Sequence, residues 1–468
     1  MSKKRKTKKN PPTRKLAEKS KLAREAEQEL AAYARGDEKT VRAGLLREDE
    51  ARTAHLSYYE LDGLQYTLGR ETFQQFTEDF FAVTVRRLRR QKCIRLAFVL
   101  YSAAMWCGDE LYRFFRNDPR FEVAVYYCLR RDGDQDFVRS EEGLRRYHED
   151  AERLRAHGVE LTEVTEDDFE LPKPDILFYL TPYDLALPEA FSVKHVHLDT
   201  LLCYLPYAAR ISQWELHSDL PILELAWKHF CETPLIEKEM REVTPWAVMS
   251  GYPRLDVFYE KQDWQFDWKM ARPDAKKIVY APHWSIEGGV RYATFQWNYR
   301  FFYEYAKNHP ETSWVIKPHP NLIFSAVDAG IFASSEEAEA YFRAWDALPN
   351  ARLVTGPYYQ AVFMTSDAMI LDSGSFIMEY QYAHRPMLFL RREGEQFNRL
   401  GTGILAVNDT VDGKDIAGIE NFIRRVVQEN DPQKEERENF FLEQLDYRHI
   451  HGMSASEYVY QTVCRGIW

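Results

Sequence analysis

From residue 93 onward the chain alternates short, continuously apolar runs with stretches whose apolar positions recur at helical spacing. The runs "CIRLAFVLY", "FEVAVYYCLR", "AHGVELTEV", "PDILFYL" and "VKHVHLDTLLCYL" follow one another, and "WAVMSG" (246–251) closes the series. A run apolar at every position predicts a strand covered on both faces, and intervening helices predict parallel pairing. A Lys- and Trp-rich connector, 258–277, interrupts the alternation. It restarts with "IVYAP", a helix over 295–308, "SWVIKP", a helix over 336–347, "ARLVTG", a helix over 357–366, "AMILD", a helix over 375–383 and "PMLFL". The pattern predicts an α/β chain of two doubly wound, Rossmann-like domains, 93–257 and 278–425, followed by charged helices over 426–468.

The first 92 residues have a different texture. Residues 1–15 carry eight Lys or Arg and no acid; removing those charges from the net −11 leaves −19 on residues 16–468. An acidic body argues against nucleic acid as a partner, whereas the basic arm suits either an anionic membrane surface or plain solubility. A helical extension is expected over 16–92. Its last part, "RETFQQFTEDFFAVTVRRLRRQK" (70–92), is amphipathic, with Phe80 and Phe81 beside a cluster of arginines. It reads either as an interfacial helix or as a helix packed on the first domain with its basic end complementing the dipole. No apolar stretch reaches the roughly 18 residues of a membrane span, and the N-terminus lacks the apolar segment of a secretory signal. Six scattered cysteines without a CxxC pair read as reduced, small hydrophobes in a cytoplasmic protein.

Two tandem domains of this kind make the arrangement called GT-B, whose ligands lie in the cleft beyond the carboxyl ends of the strands. Four segments fall on that edge. In "LDSGSFIMEY", Ser373, Gly374 and Ser375 lead from a strand into a helix, a turn suited to a phosphate or diphosphate; an ordinary N-cap has the same sequence. Glu379 follows at a distance suited to a ribose hydroxyl. In "VIKPHP", Lys317 and His319 project together from an extended segment stiffened by two prolines, a pair suited to developing diphosphate charge. "APHWSIEGG" places His283 at a third strand end, as a general base or a phosphate donor. "GYPRLD" adds Arg254, a fork for carboxylate or phosphate, with Asp256 to orient it. No metal or cofactor is expected among them.

With "SGYPRLD", "IVYAP", "WVIKPHP" and "SDAMILDSGSFIMEYQYAHRPMLF" the sequence resembles the CDP-glycerol glycerophosphotransferase family, which includes the teichoic acid polymerases. The resemblance covers about 245–400 and extends more loosely over 93–245. It implies a metal-independent GT-B enzyme that moves a polyol phosphate from a CDP-alcohol donor to a lipid-linked or glycan hydroxyl, releasing CMP. It also implies work on cell-surface polymer, with the protein peripheral on the inner face of the plasma membrane. Carried onto this chain, His319 and Lys317 neutralise the donor's phosphates, Ser373 and Ser375 hold the diphosphate, Glu379 meets the ribose, and Arg254 and Asp256 line the cleft. The family's Trp-His-Gly-Thr-Pro stretch, with its expected basic histidine, is absent; the corresponding region reads "HVHLDTLLCYLPYAAR" (195–210). The residue after "YAP", commonly Thr in the polymerases, is His283. His283 is therefore expected to take the catalytic histidine's place, with His195 and His197 as alternatives. A nucleotide-sugar glycosyltransferase shares the fold and the phosphate turn, and a non-catalytic assembly factor would explain the missing stretch.

Overall fold

The computed structural model describes residues 70–468 apart from 167, 198–199, 214–219, 261–262, 288–289 and 357–358. The basic arm and most of the helical extension lie outside the described residues. Seven strands, β1 (Ile94–Leu100), β2 (Phe121–Cys128), β3 (Thr162–Val164), β4 (Ile176–Tyr179), β5 (Leu201–Tyr204), β6 (Lys228–Cys231) and β7 (Ala247–Met249), form a parallel sheet in the order β3-β2-β1-β4-β5-β6-β7. Six more, β8 (Lys276–Ala281), β9 (Thr312–Ile316), β10 (Ala351–Leu353), β11 (Ala368–Leu371), β12 (Met387–Arg391) and β13 (Asp409–Asp412), form a second parallel sheet in the order β10-β9-β8-β11-β12-β13. The continuously apolar runs are the strands because each lies between helical layers: β4, β5, β9 and β11 are buried at every position. Winding reverses between β1 and β4 in one sheet and between β8 and β11 in the other, which opens a crevice at each carboxyl edge.

The helix Arg70–Leu88 packs on the first sheet. Phe81, Val85 and Leu88 are buried, Phe81 meets Trp246 edge-on at 5.2 Å, and Arg87 pairs with Asp175 at 3.1 Å. Of the two readings of this segment, the packed helix is the one found for Phe81.

The chain crosses between the two lobes twice. After β7 it passes through residues 250–275 into β8, and after the helix Ile416–Val427 it returns to the first lobe. There the final helix, Ala455–Ile467, buries Val459, Val463 and Ile467, and Tyr460 packs on Phe115 at 5.2 Å. The crossings run side by side: the Tyr259 hydroxyl donates to Asp446 at 2.9 Å. A second tie joins the lobes near the cleft, where Asn398 donates from its backbone to the Ile211 carbonyl and from its amide to the Arg210 carbonyl. Gly401 allows this approach, since a Cβ there would lie 2.7 Å from the Ile211 carbonyl oxygen.

Candidate active site

The ends of β8, β9 and β11 meet at the crevice of the second sheet. Backbone bonds knit the first two together: Lys317 N–H donates to the Tyr280 carbonyl and His319 N–H to the Pro282 carbonyl. Asp372, the first residue after β11, ties in the third. Its carboxylate accepts from the His283 backbone N–H at 2.6 Å and from both the N–H and the hydroxyl of Thr294. These bonds are made in full burial, which still lifts the Asp372 carboxyl to about 6. The rings of His283 and His319 end 5.2 Å apart, with Trp284 6.1 Å from His319.

The hydrogen bonds decide which ring nitrogen of each histidine carries the proton. Ser285 directs its hydroxyl (2.8 Å) and its backbone N–H (3.3 Å) at Nδ1 of His283, while the same hydroxyl accepts from the Tyr292 N–H. Nδ1 is therefore a lone pair and Nε2 bears the hydrogen. Asn321 N–H likewise donates to Nδ1 of His319 at 3.1 Å. Burial keeps both rings neutral: it holds His283 well below the ordinary range, and burial with the Lys317 charge brings His319 to about 4. Two neutral imidazoles thus present Nε2–H donors. In this tautomer Nε2 of His283 has a hydrogen to give and no lone pair, which suits the phosphate-donor role of the two expected for it.

Beside them lies a charged cluster built from both lobes. Lys317 is almost fully buried, donates to the Gly356 carbonyl at 3.0 Å and sits 5.1 Å from the centre of the Tyr359 ring. Burial pushes its ammonium down to about 8, against the pull of Glu379. Glu379 is also buried and accepts from the Tyr359 hydroxyl. Burial raises its carboxyl, while Arg254, Tyr359 and Lys317 favour the ionised form. Glu379 is therefore the counter-charge of a cation cluster. The contact expected with a ribose hydroxyl has to be shared with Tyr359.

Arg254 reaches into this cluster from the turn after β7. Its guanidinium donates to the carbonyls of Ala104 and Trp106, the latter at 3.2 Å, and its buried Nε–H has no hydrogen-bond partner. Asp256 does not orient it. Pro253–Leu255 form a 3-10 turn that carries Asp256 to the other side, where its carboxylate accepts from Tyr447 and from the backbone N–H groups of Ala455 and Ser456. The capping demand of a helix some 200 residues away outcompetes the nearby arginine.

Ser373, Gly374 and Ser375 form the turn between β11 and the helix Phe376–Glu379. A Cβ added at Gly374 would make ordinary contacts, 3.8 Å to Ile211 and 3.9 Å to Tyr292, so packing does not demand glycine there. His195 and His197 belong to the other end of the first sheet: they lie on or just after the helix Val193–Val196, which leads into the start of β5, and His197 Nδ1 bonds to the Val193 carbonyl.

Sequence reasoning passed over Ser285, Tyr359 and Thr294. Ser285 and Thr294 act on residues reached only through loop geometry, and Tyr359 had no motif around it. Among the described residues, no group of three or more His, Cys, Asp or Glu is placed to hold a metal ion.

Residues 235–465 match the family described as CDP-Glycerol:Poly(glycerophosphate) glycerophosphotransferase. No curated protein sequence matches the chain significantly. Among solved structures, one assigned as a UDP-N-acetylglucosamine 2-epimerase of Listeria monocytogenes superposes with a TM-score of 0.51 at 13% identity, over 74% of this chain and 90% of that one. A UDP-GlcNAc 2-epimerase of Neisseria meningitidis bound to UDP-GlcNAc gives 0.49 at 14% identity, over 80% and 100%. A wall teichoic acid polymerase gives 0.49 at 11% identity, over 86% and 95%. The first of these likenesses establishes the two-domain GT-B fold.

Proposed function

We propose that this enzyme, whose residues 235–465 match the CDP-glycerol glycerophosphotransferase family, transfers a polyol phosphate from a CDP-alcohol to a hydroxyl of a lipid-linked or glycan acceptor. The observation that carries the reading is the meeting of His283, His319 and the Ser373–Ser375 turn at one strand edge, beside Lys317 and Arg254. The acceptor oxygen forms a bond to the β-phosphorus, the one bearing the alcohol. The bond from that phosphorus to the bridging oxygen breaks, CMP leaves, and the acceptor proton passes to solvent or to the leaving phosphate. Charge grows on the bridging oxygen and the equatorial oxygens as the bond loosens. The two Nε2–H donors, the Lys317 ammonium and the Arg254 N–H suit that charge, and being held by the fold they need no reorganisation at the moment of transfer. Ser373 and Ser375 hold the diphosphate in this scheme, and Gly374 lets it approach the backbone. The N-terminal basic arm holds the enzyme at an anionic membrane face, where lipid-linked acceptors are presented.

A thermal-shift and calorimetry panel of CDP-glycerol, CDP-ribitol, UDP-sugars, GDP-sugars and CMP-sugars tests the donor, and release of CMP on adding acceptor tests the reaction. Stabilisation by CDP-alcohols is expected. Stabilisation by a UDP-sugar alone would favour the glycosyltransferase reading, and no nucleotide binding at all would favour the assembly factor.

A further inference from the structure

The first lobe holds a second cavity, of about 490 Å³, that the donor chemistry does not use. It lies at the carboxyl edge of its sheet, between the ends of β1 and β2 and the helix Glu141–Ala156. Four arginines line it, and each already has a carboxylate partner: Arg130 has Asp132, Arg145 has Glu142 and Glu149, Arg146 has Glu142, and Arg153 has Asp150. Asp150 is already committed: it accepts from the Ala103 N–H and the Tyr127 hydroxyl, both at 2.7 Å, and so forms part of the cavity's frame. Aromatic faces complete the wall, with Arg130 stacked over Tyr101 at 5.4 Å and Arg146 over Phe137 at 5.4 Å.

We propose that this cavity binds a phosphate-bearing polyol chain, the growing or starting end of the acceptor. The inference rests on the transferase reading above. A guanidinium has five N–H donors; Arg130 uses Nε and Nη2 on Asp132, Arg146 only Nε on Glu142 and Arg153 only Nη1 on Asp150, so these three still offer donors to an anion. The aromatic faces suit the C–H groups of a polyol between phosphates. Position supports the assignment as well. Asp150 holds the backbone of Ala103, and one residue on, the Ala104 and Trp106 carbonyls receive the Arg254 guanidinium of the donor cluster. The cavity is thus joined by one short stretch of chain to the Arg254 side of the donor cluster.

The test is calorimetry of the full chain with a synthetic trimer of glycerol 3-phosphate, with triglycerol as the phosphate-free control. The wild type binds the trimer and not triglycerol, and CMP does not displace it. The R130Q/R146Q variant binds the trimer roughly tenfold more weakly while its CDP-glycerol affinity, which reports the fold, is kept. If the double variant fails to fold, the single variants R130Q and R146Q each carry the same comparison. No binding of the trimer by the wild type, equal binding of triglycerol, displacement by CMP, or unchanged affinity in the folded variants overturns the proposal. Loss of CDP-glycerol binding by the wild type with trimer binding intact would overturn the donor reading and leave the cavity's assignment standing.

Discussion

The Ser285 hydroxyl lies 2.8 Å from Nδ1 of His283, and with the Ser285 backbone N–H at 3.3 Å it occupies that nitrogen's lone pair, leaving the hydrogen on Nε2. A donor and a base respond differently to substitution. His283→Ala should cut kcat by about 100-fold or more with CDP-glycerol affinity retained, the range found for loss of one transition-state donor. His283→Gln, whose amide N–H reaches toward the same place, should recover part of that loss. Ser285→Ala should cost about tenfold, because the hydroxyl that holds the His283 ring and accepts from the Tyr292 N–H is lost while the backbone N–H keeps the tautomer. Steady-state kinetics alongside calorimetry separates the cases; a glutamine variant as inactive as the alanine one would restore the base.

Donor affinity should fall across mildly alkaline pH. Burial puts the Lys317 ammonium at about 8, below the 10.5 of the unfolded chain. The sign for stability is the opposite of the sign for binding. The native state disfavours this proton, so its burden on stability is present below pH 8 and is relieved as pH rises toward 10.5. Binding needs the charge, so the Kd for CDP-glycerol should rise about tenfold between pH 7 and 9. Lys317→Met should bind more weakly at pH 7 and show no such dependence; a wild-type Kd flat over that range would contradict the assignment.

Gly374→Ala separates packing from ligand approach. Its Cβ would make only ordinary contacts, so the thermal midpoint should stay or rise slightly, a gain of about 0.5 kcal/mol from the stiffer unfolded chain. Donor affinity should fall about tenfold, because the methyl group takes space beside the phosphate turn. A variant with unchanged donor affinity would place the phosphates elsewhere.

Asp256→Ala should behave in the reverse way. It strands the Tyr447 hydroxyl and two N–H groups of the final helix, a loss of about 3 kcal/mol in stability. Turnover per folded molecule at moderate temperature should be unchanged. Denaturant melts and active-site-normalised rates check both halves.

How much of this could be read from the chain follows from what each residue depends on. β8, β9 and β11 are legible because burial on both faces forces continuous apolar runs, and His283, Lys317, His319 and Ser373 are legible because they stand at the ends of those runs. β6 and β13 are not: "KHFC" hides a buried His229 whose ring bonds to Arg210, and "DTVD" is a half-exposed edge with no apolar run. Asp256 was misread because its partners lie about 190 to 200 residues away, and no local rule weighs them against Arg254. The proton position on His283 was invisible for a related reason: the sequence shows that Ser285 is near but not where its hydroxyl points.

The paired crossings between the lobes, fastened where Tyr259 meets Asp446, restrict how the enzyme can open. Two neighbouring tethers should permit a swing between the lobes more readily than a twist, which would strain both at once. In such a swing the Asn398 bonds to Arg210 and Ile211 would be the contacts to break. A single proteolytic nick in either tether should leave the halves together and turning over, and only a double cut should release them.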